Sequence, residues 1–289
     1  MTRDSAIRGA RPEPSPDTGH FAASGVTGER RGAARDWPGM LDARTEMRSQ
    51  VVASPSDTKA SEGSDLALVV HSRLCRVYKC PIAYFSHRDP LSELVSAILS
   101  HRTRNAASGA AFKALRRRFP TWEEVMEADI AEIETAIAAV TWPEMKAPRI
   151  RALLRGILDR VGSLDLDFLA DLPPEEARSW LEAFPGIGPK TSAAVLSFST
   201  LRMRALPVDS HHHRVARRLG LIGPKVGLAP AHVLLLAQLP AAWTAQDLYD
   251  NHEILMMHGQ DVCHHNRPAC GRCVLVDLCP SAVTAMREP

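Results

Sequence analysis

Phe184-Pro185-Gly186-Ile187-Gly188-Pro189-Lys190-Thr191 joins two runs of helical periodicity, and its reading decides the fold. Two glycines bracket one apolar residue, which makes a tight turn, and Pro189 is preset for the first turn of the helix that follows. Gly186 and Gly188 let the backbone come close to another molecule, and the amides at the next helix N-terminus point outward as an anion site. On the glycines alone, a ligand-free helix connection explains the turn equally well. Lys190 tips the balance. An amine in the first turn of a helix sits at the positive end of the dipole, which disfavours its charge and lowers its pKa. That is a poor place for a structural lysine and a good one for a nucleophile.

Outward from the turn the chain reads as helix after helix. Leu91–Ser100, Ala106–Phe119, Thr121–Ala128, Ile130–Ala139, Lys146–Val161, Pro174–Ala183 and Lys190–Ser199 are separated by turn residues. Leu91, Leu94, Val95, Ile98 and Leu99 form a helical stripe. Thr121 followed by Glu124 reads as a capping box. Strand signals are nearly absent, and the fold class is all-α with short connections. Residues 1–62 mix Arg, Pro, Gly, Ser, Asp and Glu without apolar periodicity, which predicts a disordered N-terminal extension. Ordered structure is expected to begin near Asp65. No apolar run approaches membrane-spanning length, so no membrane partner is expected.

The net charge of +2 hides segregated blocks. His101 to Arg118 holds Arg102, Arg104, Lys113, Arg116, Arg117 and Arg118 and no acid. Arg202 to Lys225 carries six basic residues against the single acid Asp209. One such block is usually a solvated helix face, but several set apart from acidic runs point to a polyanion. Within the second block, Pro207-Val208-Asp209-Ser210-His211-His212-His213-Arg214 opens a helix with Asp209 as its N-cap. Capping alone would justify an Asp there; a carboxylate at the mouth of a basic surface could also act electrostatically on a bound substrate. Consecutive helical histidines point in different directions, so one metal cannot easily use His211, His212 and His213 together.

Cys263, Cys270, Cys273 and Cys279 follow a C-x6-C-x2-C-x5-C pattern within 17 residues. Thiolate tetrads hold zinc or an iron–sulfur cluster. Zinc ribbons usually pair two C-x2-C knuckles, and only one is present here, so the compact uneven spacing favours [4Fe-4S]. Two disulfides would imply secretion, for which no leader pattern is seen. Cys75 and Cys80 lie outside the tetrad and are expected to be ordinary core thiols.

In that order, the hairpin with Lys190, the Val-Asp-Ser-His of residues 208–211 and the four-cysteine tail resemble endonuclease III and its relatives among the helix-hairpin-helix DNA glycosylases. The resemblance covers roughly residues 88–281. It implies a six-helix barrel-like domain with the helix-hairpin-helix motif at 91–224. An iron–sulfur helical domain would combine 63–90 with 225–289. It implies that a damaged or modified base is flipped out of double-stranded DNA. Lys190 would attack the sugar C1′ and displace the base, and the Schiff base would then eliminate the 3′ phosphate. Asp209 would stabilise the cationic sugar and help deprotonate Lys190. The DNA contacts implied are Arg102, Gly186, Ile187, Gly188, Thr191, His211 and Arg267, with the tetrad as metal ligands. Where the family has Leu-Ser-Ala-Gln-Ala-Thr-Asp, this chain has Leu99-Ser100-His101-Arg102-Thr103-Arg104-Asn105, so Arg102 takes the position that fills the gap left by the flipped base. A monomer in a bacterial cytoplasm, associated with the nucleoid, is expected. Two alternatives stay open at this point: a monofunctional glycosylase, against which Lys190 argues, and a non-catalytic DNA-binding or redox-sensing protein, which would not need Lys190 and Asp209 together.

Overall fold

The computed structural model describes residues 57–285. In order these form α1 (Asp57–Tyr78), α2 (Pro90–Ser100), α3 (Asn105–Arg118), α4 (Trp122–Glu127), α5 (Ile130–Ala136) and α6 (Pro143–Val161). The chain continues with α7 (Pro174–Glu182), α8 (Pro189–Phe198), α9 (Ser210–Leu219), α10 (Leu228–Leu236), α11 (Ala245–Asp261) and α12 (Pro280–Ala285). Among the described residues there is no strand, in keeping with the all-α reading, and no helix is long and apolar enough to cross a membrane. The extension expected at residues 1–62 lies outside the described residues, except where α1 starts, at Asp57 rather than near Asp65.

Two apolar clusters organise these helices. The first gathers Leu94, Ile98 and Leu99 of α2 with Leu115, Val125, Ile133, Ile150, Leu154, Leu181, Val195 and Leu196, contributed by α3 to α8. Burial of each such side chain stabilises by about 1.5–3 kcal/mol. Nearly the whole circumference of α2 is buried, Glu93 included, which places it at the centre. The second cluster gathers Val70 and Leu74 of α1, Val215, Ala216 and Leu219 of α9, Leu235 of α10, and Leu248, Ile254 and Leu255 of α11. The packing changes partner between Ala205 and Leu206, so α9 sits with the second cluster. A smaller cluster of Ala194, Phe198 and Tyr249, flanked by Ile82 and Tyr84, lies between α8 and α11. Thus α8 turns one face to the first cluster and another to α11.

Local chemistry sets the helix starts. Asp89 caps α2, its Oδ1 accepting from Ser92 N at 2.8 Å. Thr121 caps α4 through Glu124 N at 3.2 Å, half of the expected box; the full capping box is Thr244 with Asp247 on α11. Cys75 and Cys80, expected as core thiols, are instead joined in a disulfide. Lys79, at φ 67°, turns the chain back after α1 and brings the two Cα atoms to 5.0 Å.

Candidate active site

The hairpin delivers backbone, not side chains, to the surface. Gly186 has φ +86°, a left-handed backbone that favours glycine, and a Cβ there would meet the Arg149 side chain at 3.3 Å, which would have to give by a few tenths of an ångström. The Gly188 carbonyl accepts from Thr191 N at 2.9 Å and Ser192 N at 3.0 Å to start α8. Ile187 and Thr191 were expected at the DNA. Ile187 is 6% exposed and packs in the first cluster, so only its backbone is free to approach a phosphate. Thr191 is buried, with Oγ1 at 3.1 Å from His101 Nε2, because the first turn of α8 faces the end of α2.

Lys190, half-buried in that same turn, hydrogen-bonds to nothing among the described residues. Burial lowers its pKa, against the opposing pull of the carboxyls of Asp209, Glu93 and Glu253. The structure thus brings Lys190 and Asp209 together. Asp209 is the N-cap of α9, as expected, with Oδ1 accepting from His212 N at 2.7 Å. The other two carboxyls were not foreseen. Glu93 Oε2 accepts from Arg88 Nη1 at 3.0 Å and Ser86 Oγ at 3.2 Å, and burial raises its pKa. Glu253 is pushed up to about 7, first by burial and then by Asp209 and Asp250. An acid inside the apolar stripe of α2 was a legible signal for Glu93; nothing in the local sequence marks Glu253. His101 is held down at about 4 by burial and by the cations Lys190, Lys146 and Arg149.

The histidine run separates, as helical geometry requires. His211 Nδ1 lies 3.1 Å from Arg214 Nη2, and its Cβ is 2.9 Å from where a Cβ on Gly259 would stand. His212 is wholly buried, 3.5 Å from His252 through the Nδ1 atoms. His213 Nε2 is 2.9 Å from the Val226 carbonyl. His211 therefore packs against α11 beside the site, His212 serves the core, and half-buried His213 ties α9 to the loop at Val226.

Arg102 is exposed at φ 51°, with its guanidinium 5.8 Å from the ring of Trp142. Trp142 is itself 50% exposed and left-handed at φ 57°. Thr141 Oγ1 donates to the Arg102 carbonyl at 3.0 Å, and Thr141 N to Thr103 Oγ1 at 3.1 Å, so the two strained loops are locked to each other. Buried Lys146 fixes the same loop, donating to Leu99 O at 2.8 Å, His101 O at 2.8 Å and Thr103 Oγ1 at 3.0 Å. The sequence reading missed Trp142 and Lys146.

Of the six cations in the second basic block, Arg217 and Lys225 are exposed and the other four are engaged by the protein itself. Arg214 Nε donates to Cys263 O at 3.0 Å, and Arg218 donates to His264 O at 2.6 Å and His265 O at 2.9 Å. Arg202 donates to Phe198 O at 2.6 Å and lies over Tyr84, and Arg204 donates to Pro240 O at 3.0 Å. These guanidiniums satisfy loop carbonyls, a task the charge pattern does not reveal.

Cys263, Cys270, Cys273 and Cys279 are free thiols lining one cavity of about 950 Å³ with Arg218, His258 and Arg267. Among the described residues no three ligating side chains gather closely enough to hold one ion. Four thiols facing one cavity are a donor set that suits a metal centre, zinc or an iron–sulfur cluster. Arg218 Nη1 stands 3.2 Å from Cys263 Sγ, a cation that offsets thiolate charge. Arg267, exposed at φ 50°, projects from the loop between Cys263 and Cys270.

The family described as HhH-GPD superfamily base excision DNA repair protein matches residues 95–232, from α2 into α10 and including Lys190 and Asp209. Endonuclease III of Sulfolobus acidocaldarius is 29% identical over 194 residues, 66% of this chain and 82% of that protein. The DNA glycosylase/AP lyase ROS1 of Arabidopsis thaliana is 28% identical over 171 residues, 55% of this chain but 12% of the relative, so this chain spans a small part of its length. Among solved structures, a trapped endonuclease III–DNA covalent intermediate shares the fold at TM-score 0.66 and 22% identity, over 78% of this chain and 99% of that one.

Proposed function

We propose that this chain, which belongs to the HhH-GPD superfamily of base excision DNA repair proteins, is a bifunctional DNA glycosylase and AP lyase acting on double-stranded DNA with a damaged or modified base. One observation carries the reading. Lys190 is half-buried at the positive end of α8, has no hydrogen bond among the described residues to hold its proton, and stands beside the carboxyl of Asp209. An amine so placed gives up its proton more readily than a free lysine, which suits a nucleophile. Lys190 attacks C1′ of the flipped nucleotide, the base departs, and the lysine-linked sugar eliminates its 3′ phosphate. Asp209, with one oxygen taken by the His212 amide, supplies negative charge where the sugar becomes cationic.

The backbone around Gly186 and Gly188 and the amides opening α8 suit a phosphate beside the lesion. Arg102 and Trp142 present a rigid cationic and aromatic pair for stacking against bases once the target has left the helix. Cys263, Cys270, Cys273 and Cys279 would hold a [4Fe-4S] cluster that cross-links the loop bearing His264, His265 and Arg267, which suits phosphate contact. The cluster's contribution is structural.

Borohydride tests the nucleophile: it should trap a covalent complex between the native protein and damaged or abasic duplex, and none with Lys190→Ala. Undiminished trapping in that variant would sink the assignment. Metal analysis of purified protein should find about four irons per chain with absorbance near 400 nm, as expected of such a tetrad. One zinc per chain and no iron would refute the cluster.

A further inference from the structure

The three carboxyls around Lys190 differ in what else they do. Asp209 gives an oxygen to the His212 amide, and Glu93 accepts from Arg88 and Ser86. Glu253 has no hydrogen bond or ion pair among the described residues. It stands on α11 one turn after Tyr249, which packs against Ala194 and Phe198 of α8 with its ring 5.4 Å from that of Phe198. Lys190 lies one turn before Ala194 on that same face of α8, so the packed stripe sets Glu253 alongside Lys190. We propose that Glu253 is the general acid of this site: it gives its proton to the group leaving C1′ and recovers one from Lys190 Nζ. The inference rests on Lys190 being the nucleophile.

The step balances. Nζ of neutral Lys190 bonds to C1′ while the bond from C1′ to the leaving group breaks, its electron pair passing to that group. Glu253 protonates the leaving group, and the resulting carboxylate takes a proton from the now cationic Nζ. The net change is a lysine N–C1′ bond and a protonated leaving group, the free base or, at an abasic site, water. Glu253 ends as it began. A half-buried carboxyl pushed up to about 7 keeps a substantial protonated fraction near neutrality. The charged and titratable groups facing it are Lys190 from α8, Asp209 at the start of α9, and Asp250 and Tyr249 on its own helix. His71 of α1 faces Asp250. Two carboxyls in different surroundings thus divide the work, one as anion and one as acid.

The test uses a duplex with one abasic site, which needs no knowledge of the excised base. Single-turnover formation of the borohydride-trapped complex is followed from pH 5 to 9 for the native protein, Glu253→Gln, Glu253→Asp and Lys190→Ala. The native rate should rise as Lys190 loses its proton and fall on the alkaline side as Glu253 loses its own. Glu253→Gln should be roughly a hundredfold slower at its maximum, and its falling limb should be gone. Glu253→Asp, still an acid, should keep that limb at a reduced rate, and it serves alone should the glutamine protein fail to fold. A native profile without a falling limb, or a falling limb kept in Glu253→Gln at whatever rate, overturns the proposal. Trapping that is absent from the native protein or persists in Lys190→Ala removes the reading of Lys190 instead.

Discussion

Two lysines, one buried and one half-buried, meet the end of α2 and the start of α8, and their surroundings are opposite in kind. Lys146 is 4% exposed and Lys190 half-buried, and in both burial is the largest cause of a lowered pKa. Lys146 lies at the C-terminal end of α2, where carbonyls are unpaired, and places its three donors on Leu99 O, His101 O and Thr103 Oγ1. Lys190 lies at the opposite kind of helix end, where the exposed groups are amides, and finds no acceptor among the described residues. Burial alone therefore does not mark a reactive lysine. What marks it is burial without acceptors, in a field that disfavours its proton.

The comparison breaks most cleanly at the lysines themselves. Lys190→Ala should abolish borohydride trapping while leaving thermal unfolding almost unmoved, since Lys190 forms no hydrogen bond to lose; Lys146→Met should do the reverse. Trapping lost equally in both would mean that the two sites are not functionally distinct. Asp209→Asn sharpens the Lys190 side. Asn caps helices about as well as Asp, so α9 should stay capped while excision falls on the order of a hundredfold, with affinity for damaged duplex little changed. A drop in melting temperature with turnover intact would reduce Asp209 to its cap.

Lys146→Met should cost about 2 kcal/mol in chemical denaturation, because carbonyls that accept from a cation are left unpaired. Unchanged stability would show that water replaces the ammonium there. The smallest effect is expected from Arg102→Ala, at the loop Lys146 holds. Excision should slow several-fold and unequally against the four opposing bases, with little change in the salt dependence of binding. A uniform loss with a salt slope lower by about one would make Arg102 a plain phosphate contact.

Much of this was legible in the chain. The hairpin, the all-α class and most helix boundaries follow from glycine placement, proline and apolar spacing, which act within a few residues. The cap at Asp209 was visible for the same reason. The roles of Arg214 and Arg218 were not legible, because a charge run looks alike whether it faces a phosphate or folds onto carbonyls, here those of Cys263, His264 and His265. Thr191 and Ile187 carried the right motif, but the core claimed their side chains.

By itself the sequence determined the elements and marked Lys190 and Asp209 as candidate positions, because a cation at a helix N-terminus and a capping carboxylate are local features. Only the tertiary structure decided what surrounds them. Glu93 comes from a helix 97 residues earlier than Lys190 and Glu253 from one 63 residues later, and no short-range pattern links positions so distant. The same holds for the pair of Arg102 and Trp142, joined through Thr141 and Lys146. Proton affinity depends on burial and on charges a few ångströms away, so which lysine reacts and which carboxyl holds a proton is settled by packing.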